Sequence, residues 1–152
     1  MNKFTLPLAA LSLSATGLAL SMAPALAHDG VENPAVMARM EVMKAIGGSM
    51  KTLAGMAKGE MAFDGTKAEA AMATIASEGM KAPALFEANE TDPKSEALPA
   101  IWENWADFTA KSEAMVMAAK ANAALPDLAT LQGSLGKVGG TCKACHSDYR
   151  KK

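Results

Sequence analysis

Between Pro34 and Lys58, apolar or small residues recur at Val36, Met40, Met43, Gly47, Met50, Ala54 and Ala57, in alternating steps of four and three. That spacing keeps one side of a 3.6-residue helix apolar and predicts a helix from Pro34 to about Lys58. Asn33 supplies an N-cap, Pro34 suits the first helical position and Gly59 a stop. A second helix is predicted from Asp64 or Thr66, with Glu69 completing a capping box after Thr66, through Met72, Ile75 and Ala76 to about Gly79. Lys81 to Leu98 holds Pro83, Asn89, Asp92 and Pro93 and reads as a long irregular connection with a helical turn around Leu85 and Phe86. A third helix from Pro99 puts Ile101, Trp105, Phe108, Ser112, Met115 and Ala119 on one face, widened by Trp102 and Val116. The last helix opens at Pro126-Asp127 and repeats Leu128, Leu131, Leu135, Val138, Cys142, Cys145 and Tyr149 at threes and fours. Four amphipathic helices, with no β-rich run, internal repeat or low-complexity linker, predict an all-α antiparallel four-helix bundle.

The segment before these helices follows a different pattern. Lys3 precedes an almost wholly apolar or small stretch from Leu6 to Met22, and Pro24-Ala25-Leu26-Ala27 ends it in an A-x-A cleavage pattern. Pro7, Ser12, Ser14, Thr16 and Gly17 interrupt the stretch, which falls short of the roughly 20 apolar residues of a membrane span. Residues 1–27 therefore read as a secretory signal peptide, leaving a domain at 28–152 in an extracytoplasmic compartment, expected to be a bacterial periplasm. No second apolar run is long enough to span a membrane.

Composition narrows the function. Half the residues are apolar but only 5% are aromatic, and the twelve Met, with Ala and Leu, suit helices rather than a β-sandwich. Fifteen basic residues against sixteen acidic ones exclude nucleic acid as the leading partner. Loss of Lys3 with the leader takes the basic count to 14 and the net charge to −2. Two cysteines build no disulfide framework.

Those cysteines stand in Cys142-Lys143-Ala144-Cys145-His146, the C-x-x-C-H pattern of covalent c-type haem attachment. On a helix the two sulfurs lie one turn apart, able to form thioethers with two neighbouring vinyl groups. His146, four residues after Cys142, can offer its imidazole to iron. A thioredoxin-like dithiol would follow a strand, and none is predicted. Structural zinc wants four ligands, and His28 is the other histidine of the chain. A helical C-x-x-C with an incidental histidine is the simplest rival, and export favours haem over it. The expected cofactor is one haem c with its iron.

The motif lies near the C-terminus, the reverse of the commonest small c-type cytochromes. Here the chain resembles the class II c-type cytochromes typified by cytochrome c′. The residues carrying the resemblance are Arg39, Met43-Lys44, Gly47 and Met50; Lys58-Gly59-Glu60 and Asp64; Leu85-Phe86; Pro99, Ile101-Trp102 and Phe108; and Val138-Gly139-x-Thr141-Cys142-Lys143-Ala144-Cys145-His146-x-x-Tyr149-Arg150. The resemblance implies an antiparallel four-helix bundle around one haem, attached to the last helix and covered on its distal side by the first.

It implies further that Cys142 and Cys145 carry the thioethers, that His146 is the proximal iron ligand, and that Met43 stands at the distal position. Arg39 matches the family's haem-propionate arginine, and Thr91 lies where the family's second connection approaches the haem. Without the resemblance, Arg39 reads equally as a solvated helix charge, and Met43 as core packing alongside Met40 and Met50. Some family members leave the iron five-coordinate and high-spin and bind small gases such as nitric oxide. Others place a methionine on iron and carry electrons. Met43-Lys44 with Gly47 resembles the second group, since glycine lets the helix pass close to the ring. Met/His ligation raises the potential and removes the vacant site. The expected function is electron transfer, with a gas-binding cytochrome as the alternative. An enzyme is not expected, because no distal acid–base group is apparent. Lys137, Lys143, Arg150, Lys151 and Lys152 gather near the end of the last helix. They complement its dipole, or form a positive rim that steers an acidic redox partner. A homodimer through the first two helices is the family's arrangement where there is one, and Gly47, Gly48, Ser49 and Gly55 would permit close contact.

Overall fold

The computed structural model describes residues 30–152. The expected signal peptide, its cleavage site and His28 lie outside the described residues.

Four long helices form the bundle: α1 (Pro34–Ala57), α2 (Gly65–Gly79), α5 (Trp105–Ala121) and α6 (Leu128–Tyr149). Two short helices, α3 (Ala82–Phe86) and α4 (Ala100–Glu103), lie in the connection between α2 and α5. Asn33 caps α1 as expected, its Oδ1 accepting the amides of Ala35 and Val36 at 2.9 and 3.1 Å. Gly59 turns the chain at φ +76°, a left-handed conformation that glycine adopts without cost from a Cβ. Asp64 caps α2 and Asp127 caps α6, each through a side-chain bond to the third residue on. The capping box at Thr66 does not form, because Glu69 instead accepts the amide of Leu125 at 3.1 Å and ties α2 to the segment before α6.

The expected third helix is broken. Asn104, at φ −124° and ψ 46°, separates α4 from α5, and its side chain donates to the Ala100 carbonyl. An asparagine amide that competes for backbone partners is a recognised helix interrupter.

The ring of neighbours runs α1, α2, α5, α6 and back to α1. Cross-links give the directions. Gln132, at the start of α6, donates to Ala57 O at the end of α1, and Ser112, early in α5, donates to Gly79 O at the end of α2. Lys111, early in α5, meets Asp148 at the end of α6. The bundle is antiparallel throughout.

Its main core joins Val42, Ile46, Leu53 and Met56 of α1 to Met72 and Ile75 of α2, Met115 and Ala119 of α5, and Leu131 and Val138 of α6. A second, aromatic core joins Phe86, Ile101, Phe108 and Tyr149. On α1 the fully buried apolar side chains are Val36, Val42, Ile46, Leu53 and Met56, while the predicted Met43, Met50 and Ala57 pack against that core partly buried. Leu128 departs from the predicted stripe of α6, standing exposed in its first turn. Gly55 is buried beneath Met61, whose side chain lies 3.4 Å from where its Cβ would be, so it presents no surface to a second copy.

Candidate functional site

The methionine side of α1, only partly covered by the main core, faces a cavity of about 720 Å³. Met40, Met43, Gly47 and Met50 line it from α1, and Cys142, Cys145 and His146 from α6. α2 contributes nothing to the wall. It ends at Gly79, and beyond it Ala82, Phe86 and residues 94–97 of the connection close that side. The apolar repeat on α1 thus marked a real face, one that lines the cavity at Met40, Met43, Gly47 and Met50 and meets the core at its edge through Met43, Met50 and Ala57.

Both cysteines are free thiols, half-buried, and burial pushes each thiol up from its ordinary value. Thr141 precedes Cys142 in the wall and donates to Val138 O at 2.7 Å. His146 stands at the rim. Burial, then the nearby Arg150 cation, push its imidazole down, with Glu96 opposing. The neutral ring, the form with a lone pair for a metal, is favoured.

Arg39 is 3% exposed and lines the cavity. Its Nε donates to Leu85 O, and its two terminal nitrogens to Glu90 O and Ala88 O. Its guanidinium also lies 4.8 Å from the Phe86 ring centroid and 5.5 Å from that of Trp102. Three carbonyls at and after the end of α3 therefore engage all three nitrogens, and two of the five N–H donors are left for anything in the cavity. Burial lowers its pKa, opposed by Glu90, and arginine keeps its charge. Thr91 is exposed and outside the wall, which this connection supplies through Lys94, Ser95, Glu96 and Ala97.

Sequence reasoning missed these four residues and Lys111. A polar stretch after Pro93 carries no periodic signal. Lys111 was within reach, as the partner of Asp107 four residues earlier on the flank of the Phe108–Ser112 face.

The residues present fit a haem. The volume lies within the roughly 300–1,000 Å³ of small-molecule and cofactor sites. The wall is mainly apolar, and two thiols and an imidazole stand together on one helix. A Cβ on Gly47 would meet no protein atom within 4 Å, so protein packing does not require a glycine there, while a closely approaching ring does.

Comparison with known proteins bears on the same region. The family model described as Cytochrome C' matches residues 34–150. Cytochrome c′ of Rhodopseudomonas palustris is 40% identical over 118 residues, covering 75% of this chain and 80% of the relative. Cytochrome c-556 of Agrobacterium fabrum is also 40% identical over 118 residues, covering 75% of this chain and 79% of the relative. The solved structure of Rhodopseudomonas palustris cytochrome c′ superimposes with a TM-score of 0.75 at 36% identity, over 80% of this chain and 98% of that one.

Proposed function

The chain belongs to the cytochrome c′ family, and from that premise we propose that it is a periplasmic electron carrier with a low-spin haem bound by His146 and Met43. The family binds one covalently attached haem c with iron, and its members are electron carriers or gas-binding haemoproteins rather than enzymes. In this reading Cys142 and Cys145 hold the thioethers. Arg39 fixes the connection over the cavity and turns its two remaining donors toward a propionate. Haem c supplies a one-electron iron couple when bound. The apolar wall gives the cofactor low-dielectric surroundings on the α1 side, and the cations near the rim attract an acidic partner. Residues 1–27 direct export, and among the described residues no helix is long and apolar enough to cross a membrane.

One observation carries the choice of Met43. Among the methionines of the described residues, it alone packs against both cores, as Cys142 does against the main core and Cys145 against the aromatic core, and all three line the same cavity. A thioether lining that cavity from α1, across from the cysteines of α6, supports the choice of Met43 as the second ligand. Relatives called cytochrome c′ and cytochrome c-556 match at the same identity, so the gas-binding reading stands beside this one as the alternative outcome.

The ferric absorption spectrum separates them. A low-spin spectrum with the thioether-to-iron charge-transfer band, lost in Met43→Leu, is the expected result. A high-spin spectrum unchanged by Met43→Leu overturns the electron-carrier reading in favour of the gas binder. Haem that resists acidic organic solvent in a Cys142→Ala/Cys145→Ala variant refutes the attachment.

A further inference from the structure

A metal-bound histidine ordinarily donates its other ring N–H to an acceptor that fixes the ring. Among the described residues no side chain or carbonyl holds the His146 imidazole by a hydrogen bond. The orientation of this ring is therefore left to the backbone that carries it, the last turn of α6. A helix end is the least supported part of a helix, since its final carbonyls lack intrahelical partners.

Asp107, Phe108 and Lys111 of α5 fasten that turn, and Lys111 is the one that reaches Asp148. The Lys111 ammonium lies 2.6 Å from Asp148 Oδ2 and 2.6 Å from Asp107 Oδ2, and 5.2 Å from the centroid of the Tyr149 ring. The Tyr149 hydroxyl donates to Asp107, and its ring packs edge-on against Phe108 at 5.5 Å. The Ser147 hydroxyl donates to Asp148 Oδ1 and to Ala144 O. The residues that follow His146 are thus held to α5 by the Tyr149 contacts with Asp107 and Phe108 and by one cation shared between the Asp107 and Asp148 carboxylates. Lys111 also lines the cavity.

We infer that Lys111 is a positioning residue for the proximal ligand, setting the direction in which His146 presents its imidazole by clamping Asp148 and Tyr149 to α5. This rests on the proposed ligation of iron by His146. Without the cation, Asp107 and Asp148 face each other as like charges, and the Asp148 side of the last turn is pushed from α5 while Tyr149 keeps its contacts with Asp107 and Phe108.

A positive charge beside a haem also raises its potential directly, and the test must separate field from position. Lys111→Met removes a positive charge and Asp148→Asn a negative one, yet both cut the same clamp. Ferric electron paramagnetic resonance g-values and reduction potential are measured on each mature holoprotein. Positioning predicts that both variants displace the g-values and move the potential in the same direction, with Lys111→Arg close to the parent. Potentials moving in opposite directions with unchanged g-values overturn the inference, leaving a field effect only. If Lys111→Met yields no holoprotein, Asp148→Asn decides: displaced g-values support the clamp and unchanged ones overturn it. His146→Gly guards the premise. A parent-like spectrum in that variant refutes ligation by His146 itself, whereas a changed one with unaffected clamp variants refutes only the role of Lys111.

Discussion

Arg39 illustrates how one residue serves the architecture before any cofactor is considered. Its three nitrogens engage the carbonyls of Leu85, Ala88 and Glu90, which follow one another where α3 ends and the chain turns back toward α1. Helix-terminal carbonyls need external partners, and a buried guanidinium satisfies several at once in a fixed planar geometry. Arg39→Met removes the partner of three part-buried carbonyls at once. Bonds to a charged group contribute about 1.5–3 kcal/mol each but do not add, so a loss of about 2–4 kcal/mol is expected, read as a lower denaturation midpoint. Arg39→Lys recovers only part of it, because an ammonium lacks the planar fork. A variant as stable as the parent would refute this account of the connection.

At the scale of elements, the connection between α2 and α5 is held from both ends. Asp92 Oδ2 accepts the amides of Glu32 and Asn33 just before α1, and Oδ1 accepts that of Lys94. Those backbone bonds, with Lys94 foremost, hold its carboxyl below the usual carboxylate range. A carboxyl lowered on folding contributes stability above its unfolded value of about 4 and loses it as the pH falls through the lower folded value. Asp92→Asn should therefore melt below the parent at pH 7. The gap should close as the pH is lowered past about 4, checked by thermal melts across that range. Where this connection leaves α2, the helix meets α5 at Gly79, where an added Cβ would lie 2.7 Å from Met115 Cε and 2.9 Å from Val116 Cγ2. The Met115 end can swing away, but the β-branched valine cannot. Gly79→Ala is expected to destabilise by about 1–2 kcal/mol despite alanine's higher helix propensity, measured by denaturant titration.

The same elements mark how far the sequence could be read. Helix existence, both aspartate caps and the faces of α5 and α6 follow from periodicity and local side-chain chemistry, which act over a few residues. Periodicity does not reveal what an apolar face meets. On α1 the repeat from Met40 to Met50 turns to the cavity, while Val42, Ile46, Leu53 and Met56 meet the other helices. The break at Asn104 and the diversion of Glu69 to Leu125 arise where a side chain has both a local partner and a competing one, and only the assembled fold chooses. C-x-x-C-H was legible because its spacing is set by covalent chemistry within one helical turn. Lys111 and residues 94–97 reach the cavity from other elements, joined to it by tertiary packing alone.

For the whole molecule the governing quantity is where charge lies, not how much there is. The chain's formal charge is −1, yet Lys143, Arg150, Lys151 and Lys152 are exposed at the end of the bundle where α6 finishes beside the cavity, and Lys137 is exposed midway along the same helix. Two of the five are engaged locally, Arg150 with the Glu96 carboxylate and Lys151 with the Ser95 carbonyl. That leaves Lys137, Lys143 and Lys152 as the cations with most freedom to meet a partner. Encounter is steered by the field at the approach site within about a Debye length, roughly 10 Å at 0.1 M salt, so the rim outweighs more distant carboxylates. Oxidation of the reduced holoprotein by a small anionic complex such as ferricyanide should therefore slow as salt is raised, and oxidation by a cationic cobalt complex should quicken. Lys137→Glu/Lys143→Glu should flatten or reverse both slopes. If the net charge governed approach instead, the parent itself would give the opposite slopes, and stopped-flow rates at two ionic strengths distinguish the two cases.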